Sequence, residues 1–580
     1  MFLPPGEKIV EIKKCRISGK EFFVTDKDLA FYDKISPVFG GRKYVIPSST
    51  LCPEEREKRR LQWRNDRKLY KRKCDKSGKE IISMFAPDKD VCVYENTVWF
   101  SDAWSPYEFG RSMDFSLPAF ANFQSLLRVI PNISLSWIDN QNSPYVNHSA
   151  WNKNCHLIFY SDHNDGCQYL DNSFHNKDSR DSSFIMRSEL CYGCYSCLDS
   201  YNLFRSKNCH HCRDSFFLEE CSNCVHCFGC VGLHNKEYHC FNEPLKKEEY
   251  EERVASLAFT TYADIARTQD LVRQKLSSFP RRYYSGNKNV DFSGDYLSEN
   301  EHVYNSFNVE KSRNCNYVFE SQNCRDCMDV NGWGWSGLEL GYESFSLWDG
   351  TYHAAFCDTI FGWQKQAFYS QWCGSGENVF FCSGVRHGKN VILNKPYSTQ
   401  EYEDLAGKIV DHMIATKEWW EFFPHEISPF GYNETVAQEY FPMTEEAVKA
   451  RWWKWYDTPE KSFDSWVVQP LPIREYDERQ VGYDVAQKNI DELLAWVVKC
   501  EVTGKPFKII RQELAFSIEH SLPIPTRHPD QRYRERMDMR NPRILHERTC
   551  QECPKAIMTT YAPERPEKVL CEECYRKIVY

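Results

Sequence analysis

Between positions 155 and 233 the chain repeats every three residues. Stepping by three from Cys155 to Leu233 gives C I S N C L S N S S I S C C C S L S C C S L C C C C L, 27 positions without a charged or aromatic residue. Charged and aromatic residues make up 27% and 15% of the chain, so for one fixed window and phase such a run arises by chance on the order of once in a million. A period of three belongs neither to an α-helix nor to a flat strand. It predicts a narrow solenoid whose interior receives every third side chain, and the column Asn164, Asn176, Ser188, Ser200, Cys212, Cys224 sets coils of about twelve residues. A bundle of polyproline II segments repeats in the same way and is the competing geometry. Cysteine interchanges in this phase with Ser, Ile and Leu, as no metal ligand could, so these thiols read as small interior fillers. Two secondary alternatives stay open: an iron–sulfur cluster on Cys221, Cys224, Cys227 and Cys230, and zinc held by Cys191, Cys194 and Cys197 with His210 or His211.

A second pass follows. "NCHLIF" at 154 answers to "NCNYVF" at 314, and "CVGLHNKEYHCFNEPLKKEEYEE" at 230 to "CSGVRHGKNVILNKPYSTQEYED" at 382. Its triplet phase holds from Val303 to Ser336, slips, and resumes from Ala367 to Cys382, and each pass runs into an acidic helical segment suited to covering an open solenoid end.

The two termini repeat each other. "CRISGKEFFVTDKDLAF" from Cys15 matches "CEVTGKPFKIIRQELAF" from Cys500, and residues 52–74 lie over 528–550 without a gap. In the C-terminal copy Cys550, Cys553, Cys571 and Cys574 form two C-x2-C pairs separated by seventeen residues, the spacing of a structural zinc site. The matching N-terminal positions are Cys74, Ser77, Glu95 and Val98, which predicts a ribbon that has lost its metal and kept its shape. The preceding half-modules, Cys15, Ser18, Cys52, Glu55 and Cys500, Thr503, His528, Gln531, read as treble-clef-like knuckles resting on packing.

Behind each ribbon runs a basic row. Arg56, Arg60, Arg64, Lys68 and Arg72 recur at four-residue spacing along an expected helix, and Arg532, Arg536, Arg540 and Arg548 follow the same register. One row of guanidinium forks suits phosphate contacts, and a solvated face laced with Glu54, Glu57 and Glu535 is the alternative.

These elements predict a multidomain, β-rich chain: two tandem short-coil β-solenoid-like Cys-rich repeats flanked by duplicated zinc-ribbon/treble-clef-like modules with basic helices. The expected divisions are 1–100, a degenerate double ribbon; 101–145, a connector; 146–245, the first solenoid; 246–295, a helical connector; 296–398, the second solenoid; 399–475, an aromatic and Pro-rich clasp; and 476–580, the module with the intact four-cysteine site. A net charge of −9 over 580 residues argues against affinity of the whole surface for nucleic acid, although a local basic patch survives inside that average. No apolar leader and no membrane-length apolar run are present, so a cytoplasmic location with reduced thiols is expected.

No nucleotide-binding, hydrolase-elbow or metalloprotease motif occurs. Asp162, Asp165, Asp178 and Asp181, near His163 and His175, leave a carbohydrate-acting β-solenoid enzyme as an alternative. With "CEVTGKPF" and "CQECPKAIMTTYAPERPEKVLCEECY" around a C-x-x-C-studded centre, the chain resembles a family of Cys-rich zinc-ribbon proteins from environmental bacteria with reduced genomes. That resemblance implies architecture and no catalytic residues. The expectation is a non-enzymatic zinc-binding scaffold that presents its Arg rows to RNA or a ribosomal surface, with a protein partner as the alternative and no small-molecule substrate.

Overall fold

The computed structural model describes residues 3–257, 259–333, 336–458, 466–467 and 470–579. The centre of the chain is a β-solenoid of about 21 turns spanning 137–392. Successive coils pair in parallel with a step of twelve, as in His156 opposite Gln168 and Gln168 opposite Arg180.

Hydrogen bonding explains both the period and the composition. In the triplet Lys153-Asn154-Cys155, Lys153 N–H donates to the Asn164 carbonyl one coil on (2.8 Å) and Asn154 N–H to the Gln141 carbonyl one coil back (3.0 Å). The third N–H, that of Cys155, points inward and finds the hydroxyl of Ser143 at 2.9 Å. Every inward residue poses the same demand, because a buried N–H left unpaired is costly. Ser161 Oγ serves Ser173 N–H, Asn152 Oδ1 serves Asn164 N–H, and Ser182 Oγ serves Cys194 N–H. Cysteine takes the same part: Asn242 N–H approaches Cys230 Sγ at 3.4 Å and Gly341 N–H approaches Cys327 Sγ at 3.4 Å. The thiols also donate outward, Cys224 to the Leu233 carbonyl at 3.3 Å. The interior column therefore contains small acceptors, not fillers alone.

The corners between triplets are left-handed. Asn154, Leu157, Tyr160 and His163 have φ of 53°, 49°, 53° and 56°, and the same holds at nearly every third residue of the solenoid. Each such non-glycine corner is unfavourable by about 1–2 kcal/mol, offset by the continuous ladders on both sides. In the second half the coils lengthen where the triplet phase slips, with Met328 opposite Tyr342 and Tyr352 opposite Lys365 before the twelve-residue step returns at Lys365 opposite Glu377.

The solenoid consists of two runs lying side by side in opposite directions. Asn208 donates to Ser285 Oγ (3.0 Å), Tyr195 meets Tyr296 (ring centroids 5.8 Å apart), and His148 stacks on Trp372 (6.3 Å). Each run ends on an asparagine in the left-handed region. Asn242 brackets the Val231 backbone, accepting its N–H and donating to its carbonyl, and Asn394 does the same to Ser383. A short antiparallel return, Glu243–Pro244 or Lys395–Pro396, then leads into the helices Lys247–Ala255 and Thr399–Thr416.

The aromatic segment packs on the second run. Trp419, Phe422, Phe423 and Phe430 are buried with Phe120, Phe123, Tyr369 and Phe381, while Trp452 stands 90% exposed. Residues 459–465 and 468–469 of the expected clasp lie outside the described residues. Among the described residues no helix is long and apolar enough to cross a membrane.

Candidate metal centre and the arginine rows

The hairpin of strands His546–Thr549 and Ala556–Thr559 carries Cys550 and Cys553 in its turn, and helix Glu572–Val579 starts just after Cys571 and bears Cys574 in its first turn. The turn is fixed by Cys550 N–H donating to the Lys555 carbonyl (2.9 Å). The four sulfurs lie within 4.8 Å of one another, with Cys553 and Cys571 3.8 Å apart. A tetrahedral ion with metal–sulfur bonds of about 2.3 Å would set sulfurs about 3.8 Å apart. The quartet could hold a metal ion, and among the described residues it is the sole group of three or more His, Cys, Asp or Glu arranged to do so.

The electrostatics of the cluster fit a cation. Burial opposes ionisation of Cys550, but backbone donors from Cys571 and Glu552 outweigh it and hold the thiol at about 7. Desolvation and the neighbouring thiols push Cys574 up to about 12. Cys550 ionises readily while Cys571 and Cys574 resist, which is the condition a bound cation relieves.

At the corresponding N-terminal turn Cys74 N–H donates to the Lys79 carbonyl and Cys74 Sγ accepts from Ser77 N–H (3.4 Å) and Glu95 N–H (3.3 Å). Lys79 approaches the Glu95 carboxylate at 3.7 Å. In the C-terminal half-module the His528 ring accepts from Asp530 N–H and caps the helix Pro529–Met537.

The central cysteines line the solenoid interior. Cys191, Cys194, Cys197, Cys221, Cys224, Cys227 and Cys230 are buried there, each pointing along the inward column. His211 is exposed on the outer face, apart from them.

The basic rows depart from the expected single exposed helices. The first helix, Pro53–Leu61, is nine residues long, so Arg64 and Lys68 follow it in a loop and Arg72 sits on the strand Tyr70–Lys73. Its guanidinium groups face the second solenoid run. Arg56 donates through Nε to Asp329 (2.8 Å) and through Nη1 to the Leu51 carbonyl (2.9 Å). Arg60, wholly buried, donates to Asn331 (3.0 Å) and lies 3.4 Å from Asp329. Arg64 pairs with Asp66 (2.7 Å) and stacks on Tyr160, Lys68 pairs with Asp530 (2.6 Å), and Arg72 reaches Asp75 (3.1 Å).

The second helix, Pro529–Met537, does the same against the first run. Arg532 bridges Asp181 and Glu513, and Arg536 binds Asp181 (3.1 Å), Ser183 and the Tyr169 carbonyl. Arg548 lies on the strand His546–Thr549 and donates to the Ala562 carbonyl (3.2 Å). Arg540, beyond the helix, rests on the ring of Tyr440 at 4.6 Å.

The rows are thus largely clamps inside the molecule. Four of their partners, Asp329, Glu343, Glu320 and Asp181, lie some 250 to 350 residues away in the chain and nothing local marks them, while Glu513 is a near neighbour of Arg532 in sequence. Of the aspartates considered for carbohydrate chemistry, Asp181 is consumed by Arg532 and Arg536, and Asp162 is buried, accepting Ala150 N–H at 2.6 Å. Asp165 lies opposite Lys177 in the adjacent coil.

No protein-family model matches the chain, and no curated protein is detectably similar to it.

Proposed function

We propose that the protein is a non-enzymatic interaction scaffold whose C-terminal module is held by zinc. The observation that carries this reading is the set of buried Arg–carboxylate pairs that fixes each terminal module to one solenoid run, Arg56 to Asp329 and Arg532 to Asp181. A frame of this kind holds surfaces at set distances and has no need to move a substrate.

Zinc follows from four thiol ligands in C-x2-C pairs, a soft set that suits this ion. The two ends are read as copies of one module, since the turns at Cys15, Cys74, Cys500 and Cys550 all bond the Cys N–H to a lysine carbonyl five residues on, each at 2.9 Å. Twenty-seven free cysteines favour a reducing compartment such as the cytoplasm.

The partner is read as a protein. RNA or a ribosomal surface gripped by the Arg rows loses its support, because Arg56, Arg60, Arg64, Arg532 and Arg536 already neutralise buried carboxylates or serve buried acceptors.

Elemental analysis of protein purified without added metal tests the proposal. One zinc per chain, lost in Cys553→Ser, is expected; iron, or several metals per chain, overturns it. Binding of RNA that weakens steeply with salt would restore the nucleic-acid reading.

A further inference from the structure

A cleft of about 780 Å³ opens where the two terminal modules meet the second solenoid run. Its walls include Phe307, Tyr317, Phe319, Tyr440 and Phe441. Arg540 lines it, and its position in the chain makes it a member of the second basic row, yet it differs from its neighbours in one respect. Among the described residues its guanidinium makes no ion pair and no hydrogen bond; it lies over the face of Tyr440 at 4.6 Å, with Tyr195, Tyr533 and Glu320 near enough to act on its charge.

The platform beneath it is rigid. The Tyr440 hydroxyl donates to Glu320 and accepts from Arg543 Nη2 (3.0 Å), and Arg543 is itself bound to Glu320 (2.6 Å) and Glu57 (3.4 Å). Arg543 is therefore spent on structure, whereas Arg540 is held in place with its donors unspent. Stacking on a fixed ring lowers the entropy lost when a guanidinium fork takes an anion.

Charge decides which anion. Four cationic and five carboxylate side chains line the cleft, so its field is close to balanced and slightly negative. A polyphosphate backbone would be repelled by that rim, while a single carboxylate beside apolar groups matches one free Arg among aromatic walls.

We propose that this cleft binds a peptide segment of a partner protein, with a carboxylate on Arg540 and an adjacent aromatic or aliphatic side chain against Phe307, Phe319 and Phe441. The carboxylate is an Asp or Glu side chain or a free C-terminus. This takes from the scaffold reading only that the partner is a protein; zinc content tests that reading separately, so the two can fail independently.

The test uses the full-length protein and two random heptapeptide phage libraries, one with the peptide C-terminus free and one with it fused. Enrichment of an acidic residue next to an aromatic or aliphatic one in the fused library assigns a side-chain carboxylate; enrichment confined to the free library assigns the terminus. Synthetic copies of the enriched peptides should bind wild type at least about tenfold more tightly than Arg540→Ala. Ile544→Asp adds a negative charge at a rim position that is 58% exposed, and should weaken binding without altering the melting temperature, which keeps the test valid even if Arg540→Ala unfolds. No enrichment, equal binding by both variants, or displacement of the peptide by guanosine monophosphate at equimolar concentration would overturn the proposal.

Discussion

An interior cysteine in this molecule acts as a weaker serine. Its sulfur accepts the N–H of the next coil and its S–H reaches a carbonyl, so Cys, Ser and Asn are exchangeable by hydrogen bonding as well as by size. Replacing Cys194 by Ser should change stability by no more than about 1 kcal/mol, whereas Ser161→Val, of larger volume but without an acceptor, strands the Ser173 N–H and should cost about 1–3 kcal/mol. Urea denaturation measures both, and equal losses would show that size alone governs the column. A buried acid gives a second test. Asp358, 4% exposed and receiving the Thr359 hydroxyl at 2.8 Å, has its carboxyl pushed up to about 7, chiefly by burial. The folded state keeps this proton to higher pH than the unfolded state does. The contribution is therefore fully present below the unfolded carboxylate range near pH 4 and is lost as pH rises through about 7. The stability of wild type relative to Asp358→Asn should fall between pH 4 and 7 by up to about 1.4 kcal/mol per unit. A flat difference would mean that the carboxyl is ionised throughout.

At the scale of elements, the helix Pro53–Leu61 is a polar helix that docks by charge. Six of its nine residues are buried, among them Glu55, Arg56, Glu57, Lys58 and Arg60, which only paired groups can sustain. Arg56→Ala or Asp329→Ala leaves the other charge buried and should cost about 3–5 kcal/mol, and the double variant should lose markedly less than the sum. Strict additivity in a thermal-unfolding cycle would deny the coupling. The same helix shows what the sequence could and could not reveal. Four-residue spacing was visible, but the helix stops at Leu61 because Asn65 turns the chain, accepting Lys68 N–H (3.0 Å) and donating to the Lys68 carbonyl (2.9 Å). The solenoid was legible because each triplet repeats one chemical demand many times over. Its left-handed corners were not, since Asn154, Leu157, Tyr160 and His163 share no property that marks that conformation. The four-cysteine cluster was legible because its spacing is local, while the burial of the Arg rows depends on carboxylates hundreds of residues distant.

For the whole molecule, the two solenoid runs depend on what crosses between them. The connector strand Arg281–Arg282 pairs in parallel with Val569–Leu570, immediately before Cys571, and Tyr283 N–H donates to the Leu570 carbonyl at 3.0 Å. Arg282 lies 3.5 Å from Glu572, and Tyr575 crowds Gly232 so closely that a Cβ there would sit 2.8 Å from its hydroxyl. The four-cysteine module thus ties the return connector to the end of the first run, while the coils hold themselves by their ladders. Ion removal should act locally in consequence. With a strong chelator, or in Cys571→Ser, hydrogen exchange should quicken across 281–283 and 546–579 while amides of 153–230, bonded coil to coil, stay protected. Simultaneous loss of protection in the coils would mean that the cluster supports the whole solenoid pair, and unchanged exchange at 281–283 would mean that the connector is held by packing alone.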